Sequence, residues 1–359
     1  MSRNLRTLSE KDAGTKRMNL EQVAQKAGVS RATVSRVIND EQYVREETRQ
    51  KVLRVIEEEG YAPNAAARAL AKRQTEVIGI VVPDTLENIL VNDNPYYYPI
   101  VLQGITNAAH SDDYATLLWM LHSSEDERRY YQRILKNRLM DGLLIVASVT
   151  TESFLIDELQ RIKFPFVIIS QPPRSYEGIS YVGIDNVAAA QEAVHHLAQL
   201  GRKRIGTITG KMHNREAQDR LRGYEQGIKL SGLPYDETLV VEGAFSRDSG
   251  YNGMKYLLDQ GVDAVFAASD VMAVGALEAI QEAGLHVPED IAIVGFDDLP
   301  LATQVKPTLT TIRQPIAKKA AIATSTLIGL IEGRMQAPVQ VLLPTQLVIR
   351  NSCGAKQKG

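Results

Sequence analysis

At 359 residues the chain is longer than one ordinary domain, and two or three compact units are expected. Its 44% hydrophobic and 23% charged residues are typical of a soluble globular protein; no apolar run reaches bilayer length, and the single cysteine, Cys353, excludes an internal disulfide and fits a reducing cytoplasm. The net charge of −2 conceals an asymmetry: residues 1–75 carry 15 Lys+Arg against 10 Asp+Glu, the remainder 26 against 33, so a basic head that suits a polyanion precedes an acidic body.

Residues 1–17 are polar and mixed in charge, with no apolar core of a secretory signal, and are expected to be a flexible extension unless Met18 is the start of translation. Asn19 is placed to cap a first helix from Leu20, with Val23, Ala24 and Ala27 on one face. Gly28 follows where a left-handed residue closes a helix, and Ser30 is placed to cap a second helix over about 31–39 with Val34, Val37 and Ile38 turned inward. Helix, tight glycine turn, helix is the helix-turn-helix pattern. The outer face of the second helix carries Arg31, Ala32, Ser35 and Arg36. In a recognition helix the first residues meet base edges, and Arg31 and Arg36 suit guanine O6 and N7. Ser30, Thr33, Ser35 and Asn39 suit phosphate oxygens. A third helix is expected over about 46–59, ending at Gly60, with Val52, Val55 and Ile56 buried. After Tyr61-Ala62-Pro63, Asn64 can cap a short helix over 65–71. That stretch, AAARALA, has almost no apolar face apart from Leu70, so it needs a partner to fold.

LEQVAQKAGVSRATVSRVIND (20–40), with its spaced pattern VAxxAGVSxxTVSRVxN, and the later YAPNAAARALA (61–71) resemble the lac repressor and purine repressor (LacI/GalR) family of transcriptional regulators. The resemblance runs from Asn19 to about Arg350. It implies a DNA-binding domain over 18–63 and a hinge over 64–75 whose helix pairs with that of a second copy in the minor groove. By the same resemblance Asn64 and Ala67 meet DNA there, while Leu70 wedges into the central base step, exchanging unstacking for wider contact.

From Glu76 the pattern changes. VIGIVVP, ATLLWML, DGLLIVAS, FVIIS, RIGTIT, DAVFAAS and DIAIVGF read as buried strands, separated by amphipathic segments such as 188–200 and 219–230. The fold class is therefore α/β with parallel sheets covered on both faces, and ligands are expected beyond the carboxyl ends of the strands. The family resemblance implies two doubly wound lobes of periplasmic-binding-protein type, crossed by the chain three times. Lobe one is expected over about 76–171 and 316–343, lobe two over about 172–315 and 344–350, with 351–359 as a tail and an effector held between the lobes.

Polar residues at strand ends suit a polyol. Asp297 follows IVGF and Asp270 follows FAAS with Ser269 beside it, while Arg220 offers a planar fork of donors near the start of DRLRGY. The resemblance assigns Arg220 and Asp297 to the ligand. It also assigns Tyr97, with Tyr96 beside it in NPYYYPI, and Phe266 to aromatic contacts, and Asn214 to a variable ligand position. Family members often carry Asp where Ser170 stands at the end of FVIIS, so no relative's ligand transfers directly. Plainer roles stay open: Asp270 as a helix cap, Phe266 as core, and Arg220–Asp297 as an ion pair within one lobe.

Motifs of phosphate-binding loops, dinucleotide folds and zinc proteases are missing. His195 and His196 are adjacent on a helix, about 100° apart, and cannot share a metal. The expectation is a homodimeric, sugar-responsive repressor binding a two-fold symmetric operator, without catalytic residues, cofactor, metal or membrane anchor. A solute-binding module for uptake and a sugar-acting α/β enzyme are the alternatives.

Overall fold

The computed structural model describes residues 18–38, 43–61, 74–82, 96–121, 124–136, 139–146, 153–173 and 175–355. The chain divides into two compact units, Met1–Thr75 and Glu76–Gly359.

In the first unit α1 spans Leu20–Ala27, α2 spans Arg31–Ile38 and α3 spans Glu46–Glu58. Asn19 and Gln22 close a reciprocal capping box at the start of α1, and Gly28 ends it at φ 62°, a left-handed conformation that glycine enters without a Cβ clash. The Ser30 side chain accepts from the Thr33 backbone N–H at the start of α2. Val23, Ala24, Ala27, Val34, Val37 and Val52 form a small core. Lys26 reaches Glu59 at 2.6 Å and ties α1 to the end of α3.

The second unit contains two six-stranded sheets. The first lobe holds β1 (Val77–Val82), α4 (Tyr97–Ser111), β2 (Ala115–Met120), α5 (Ser124–Tyr130), β3 (Gly142–Val146), α6 (Phe154–Arg161), β4 (Phe166–Ile169) and β5 (Tyr181–Ile184). The second lobe holds α7 (Asn186–Gln199), β6 (Ile205–Thr209), α8 (Arg215–Leu230), β7 (Val240–Glu242), α9 (Arg247–Asp259), β8 (Ala264–Ala267), α10 (Asp270–Glu282), β9 (Ala292–Asp297), α11 (Leu301–Gln304) and β10 (Thr310–Arg313). The chain then returns to the first lobe through α12 (Ile316–Ile331) and β11 (Gln340–Leu343), and ends in the second with β12 (Gln346–Val348). Strand order is β11-β5-β4-β3-β1-β2 in one sheet and β12-β10-β9-β8-β6-β7 in the other. All pairings are parallel except β10 with β12. Continuous apolar strands follow from burial on both faces. Packing of α4 on α12 needs Gly104, where a Cβ would lie 2.5 Å from the Ala317 carbonyl oxygen.

Two expected boundaries move. The first crossing falls at about Asp185, after β5, and not at 171–172, because Ile168 and Ile169 pair with Tyr181 and Val182 in the first sheet. Residues 351–353 are not part of a loose tail. They form a 3-10 turn in which Ser352 and Cys353 are buried, with the Ser352 hydroxyl donating to Ile293 O at 2.7 Å and accepting from Thr310 N–H at 2.8 Å. Among the described residues no helix is long and apolar enough to cross a membrane.

Candidate functional site

Two surfaces draw together the residues singled out above. On the first unit, α2 buries Val34 and Val37 and leaves Arg31, Ala32 and Arg36 exposed, with Thr33 and Ser35 part-buried. The stripe follows from the helical period: burying two valines three residues apart turns both arginines outward. The Ser30 and Thr33 hydroxyls lie 2.9 Å apart and anchor the N-terminal turn that presents Arg31. Asn39, Asn64, Ala67 and Leu70 lie outside the described residues.

The second surface lies where the lobes of the larger unit meet. Asp297 ends β9 at φ 117°, and Ser170 follows β4 at φ 149°. Such backbone conformations are costly for residues with a Cβ and persist where surroundings over-determine them, often at binding sites. Asp297 accepts from Gln314 Nε2 at 2.6 Å and stands 4.0 Å from Arg220 Nη1. Arg220, on α8, donates to Asn186 Oδ1 at 2.9 Å and to the Ala268 carbonyl, and its guanidinium lies 3.7 Å from the centre of the Phe296 ring. Gln314 in turn accepts from Lys319 Nζ at 2.9 Å, and Lys319 also reaches the Tyr97 hydroxyl at 3.3 Å. A hydrogen-bonded chain therefore runs from Tyr97 and Lys319 in the first lobe, through Gln314 at the crossing, to Asp297 in the second, where Arg220 stands beside it as an ion-pair partner. Beside it, the Ser170 hydroxyl of the first lobe donates to Glu216 of the second.

Burial shapes the charges. It pushes the Asp297 carboxyl up to about 6, against the pull of Arg220 and the Gln314 hydrogen bond. Burial also acts to raise Glu216, but Lys319, Arg220 and the Ser170 hydroxyl outweigh it and hold that carboxyl below its usual range. Burial lowers Lys319, and the neighbouring Glu216 and Asp297 charges partly offset this. Tyr97 is held well above its ordinary value, mainly by burial.

Asp297, Arg220, Tyr97 and Ser170 gather as the sequence suggests. Tyr96 stands at the start of α4, part-buried against the first lobe's core. Asn214 caps α8 by accepting from Glu216 N–H at 2.8 Å.

Three residues take structural places. Ser269 accepts from Met272 N–H and is the cap of α10. Asp270 is fully buried, and its two carboxylate oxygens accept from Leu299 N–H at 2.8 Å and the Thr311 hydroxyl at 2.5 Å. These bonds occupy both oxygens within the lobe, which corrects the ligand role. Burial, then repulsion from Asp297, pushes its carboxyl well above the carboxylate range. Phe266 is fully buried with Tyr224 and Phe296 in the second lobe's core. The part-buried aromatic near the Arg220 guanidinium is Phe245, at 6.0 Å. Asp298 receives Arg313 and Arg350 and secures the loop after β9. The residues that sequence reasoning misses are Lys319, Glu216, Gln314 and Phe245. His195 pairs with Ser231 and Gln199, while His196 contacts Cys353 at 3.4 Å.

Residues 19–64 match the model of bacterial regulatory proteins of the lacI family, and residues 194–353 match the periplasmic binding protein-like domain. The transcriptional regulator CelR of Thermobifida fusca is 37% identical over 94% of this chain and 98% of its own. DegA of Bacillus subtilis, also a transcriptional regulator, is 33% identical over 92% of this chain and 96% of its own. Among solved structures, a lac repressor dimer bound to operator and the anti-inducer ONPF superposes with a TM-score of 0.82 at 28% identity, covering 95% of this chain and all of that one. A CelR–cellobiose complex superposes at 0.73 and 35% identity, covering 94% of this chain and all of that one.

Proposed function

Because the chain belongs to the lacI family of bacterial regulatory proteins, we propose that it is a DNA-binding transcriptional repressor whose hold on operator DNA is set by a small sugar-like effector received between its two lobes. The observation that carries this reading is the pairing of two outward arginines on α2 in one compact unit with the Arg220–Asp297 constellation at a lobe junction in the other. The lac repressor relative is a dimer on its operator, and the CelR relative holds cellobiose. By that likeness this chain works as a homodimer on a two-fold symmetric site, in the cytoplasm where the operator lies. No catalytic step is required, since the carboxylates at the junction serve as acceptors for hydroxyls.

The mechanism is a shift of population. The hydrogen-bonded chain Tyr97–Lys319–Gln314–Asp297, with the Arg220 ion pair at its end, and the Ser170–Glu216 bond span the two lobes, so a ligand that enters them changes the relative stability of lobe arrangements. Moving an equilibrium from 1:99 to 99:1 takes about a 10⁴-fold preference for one arrangement. The effector acts as an inducer, releasing DNA.

Footprinting on the DNA upstream of the gene, repeated with a panel of saccharides, tests the reading. Protection of a two-fold symmetric, salt-sensitive site that one saccharide relieves is the expected result. Lack of any salt-sensitive preference among symmetric duplexes, with or without saccharide, would overturn it.

Arg31→Ala is expected to relax specificity at one base pair, lowering discrimination there by about 1–3 kcal/mol. Fluorescence anisotropy against a set of singly substituted operators measures this. The effector response is also expected to depend on pH. Asp297 carries a carboxyl raised to about 6, so the empty site holds a proton as pH falls through that value. Effector hydroxyls donate to the ionised form, and binding therefore expels the proton. Affinity should fall as pH drops below about 6, by up to about tenfold per pH unit, in calorimetric titrations between pH 5 and 8. The sign for folding is the reverse of the usual carboxylate. A carboxyl raised in the folded state favours folding below its unfolded value and loses that contribution as pH rises to about 6.

A further inference from the structure

Two consecutive residues at the end of β9 stand at positive φ, Asp297 at 117° and Asp298 at 61°. Neither is glycine, so the turn persists only where its surroundings fix it. Gln314 N–H donates to the Asp297 carbonyl at 3.3 Å, and Leu299 N–H is held by Asp270. Between them the Asp298 side chain is nearly buried, with both oxygens taken: Oδ2 by Arg313 Nε at 2.5 Å and Oδ1 by Arg350 Nη2 at 2.6 Å. The Arg313 side chain is half-exposed, whereas that of Arg350 is largely buried. Arg350 is also anchored twice more: Nη1 donates to Leu309 O at 2.7 Å, and its backbone N–H donates to the Thr310 hydroxyl at 2.9 Å. The residues that follow hold this grip in place. Asn351 and Ser352 N–H both donate to Thr308 O, at 3.1 and 3.0 Å, and the Ser352 hydroxyl bridges β9 and β10. The 350–353 segment therefore clamps the turn that carries Asp297.

We propose that Arg350 is a positioning residue of the cleft: by gripping Asp298 it fixes the backbone that aims the Asp297 carboxylate toward Gln314 and Arg220. That Asp297 meets an effector rests on the reading above; that Arg350 positions Asp297 does not. A guanidinium suits the task because its planar fork reaches a carboxylate and a carbonyl at once. Without it, Asp298 is free to turn toward solvent, residue 297 relaxes from its strained φ, and its carboxylate leaves the 2.6 Å bond from Gln314. The Asp297 carboxyl itself reports such a change. It lies among Arg220, Lys319, Gln314, Glu216 and Asp270, and burial is the strongest influence on it. Burial disfavours the ionised form, so a carboxyl released toward water titrates lower.

The test uses the full chain, carbon-13 labelled at its aspartate carboxyls, with Asp297→Asn to identify the signal. In ligand-free pH titrations by nuclear magnetic resonance the wild-type Asp297 midpoint is expected at about 6. Arg350→Met should lower it by about half a pH unit or more, roughly a threefold change in the ionisation equilibrium. Asp298→Asn should act in the same direction, and the double variant should go no further than the larger single change, because both substitutions break one connection. Arg350→Lys keeps the charge and one donor to Asp298 and should recover part of the effect. If Arg350→Met does not fold by circular dichroism, Arg313→Met, which releases the other Asp298 oxygen from the exposed side, takes its place. A folded variant with the wild-type midpoint overturns the inference, as do additive changes in the double variant. Cellobiose, then the other saccharides of the footprinting panel, are titrated calorimetrically, and one that binds the wild type should bind Arg350→Met about tenfold more weakly or worse. Should the midpoint move while that affinity stays, or should no saccharide bind, the positioning by Arg350 stands and the effector role of Asp297 falls.

Discussion

Asp297→Ala is expected to abolish the effector response while leaving effector-free operator binding intact. The substitution removes the acceptor proposed for effector hydroxyls, strips Arg220 of its counter-ion at 4.0 Å and takes away the carboxylate that orients Gln314 at 2.6 Å. Both charged side chains are buried. Removing one member of such a pair leaves the other charge uncompensated, typically at about 3–5 kcal/mol. Separately, losing a buried charged acceptor at a binding contact costs about 2–5 kcal/mol of binding, so effector affinity should fall by about 30- to 5,000-fold. Asp297→Asn keeps the volume and one acceptor and tolerates the positive φ, so its loss should be smaller. Operator binding, proposed to be read on α2 in the other compact unit, should keep its midpoint and salt slope. Gel-shift titrations with and without effector separate the two outcomes. An Asp297→Ala protein that still releases operator at wild-type effector concentrations would place the effector elsewhere.

Arg220 and Asp297 are legible in the sequence because each sits at a fixed offset from a strong local pattern, the strand IVGF or the helix containing DRLRGY. Lys319 and Glu216 are not. In IAKKAAIATS two lysines are adjacent, and sequence gives no helix phase sharp enough to say that Lys319 is buried and Lys318 exposed. Glu216 lies in the charged run NREAQDR, which reads as a solvated face until Ser170 and Lys319 arrive from the other lobe. Phe266 is the converse. Its place in DAVFAAS fixes a strand but not a face; the structure turns it into the core, while Phe296 and Phe245 approach Arg220.

The strands divide in the same way. Long Val/Ile runs such as β1 and β9 stand out, whereas β5, β7, β10 and β11 are three or four residues each and escape a periodicity count. The misplaced lobe boundary follows from β5. Without Tyr181–Ile184 as a strand, the first sheet ends one strand early. The head is more legible because capping residues, the glycine turn and helical stripes are all local signals. Its three helices lie within a residue or so of their expected positions.

Asp270 provides the second large expected effect, and its substitutions should part company sharply. Asp270→Ala leaves the Leu299 N–H and the Thr311 hydroxyl without acceptors in a fully buried place. Each orphaned group costs about 1–3 kcal/mol, and the vacated volume adds to this, so a loss of about 3–5 kcal/mol is expected. Asp270→Asn should lose much less. An amide has one acceptor for Leu299 N–H and one donor for Thr311, whose hydroxyl can turn to accept. It also removes a carboxylate that burial and Asp297 already push well above its usual range, so little favourable charge is forfeited. Urea denaturation should show the alanine midpoint well below wild type and the asparagine midpoint close to it. Effector affinity in Asp270→Asn should stay within a few-fold of wild type, because both Asp270 oxygens serve Leu299 and Thr311 and neither is open to a ligand. Equal destabilisation by the two variants would mean that the negative charge itself, at the first turn of α10, holds the loop after β9 in place. A large loss of effector affinity in Asp270→Asn would return Asp270 to the ligand.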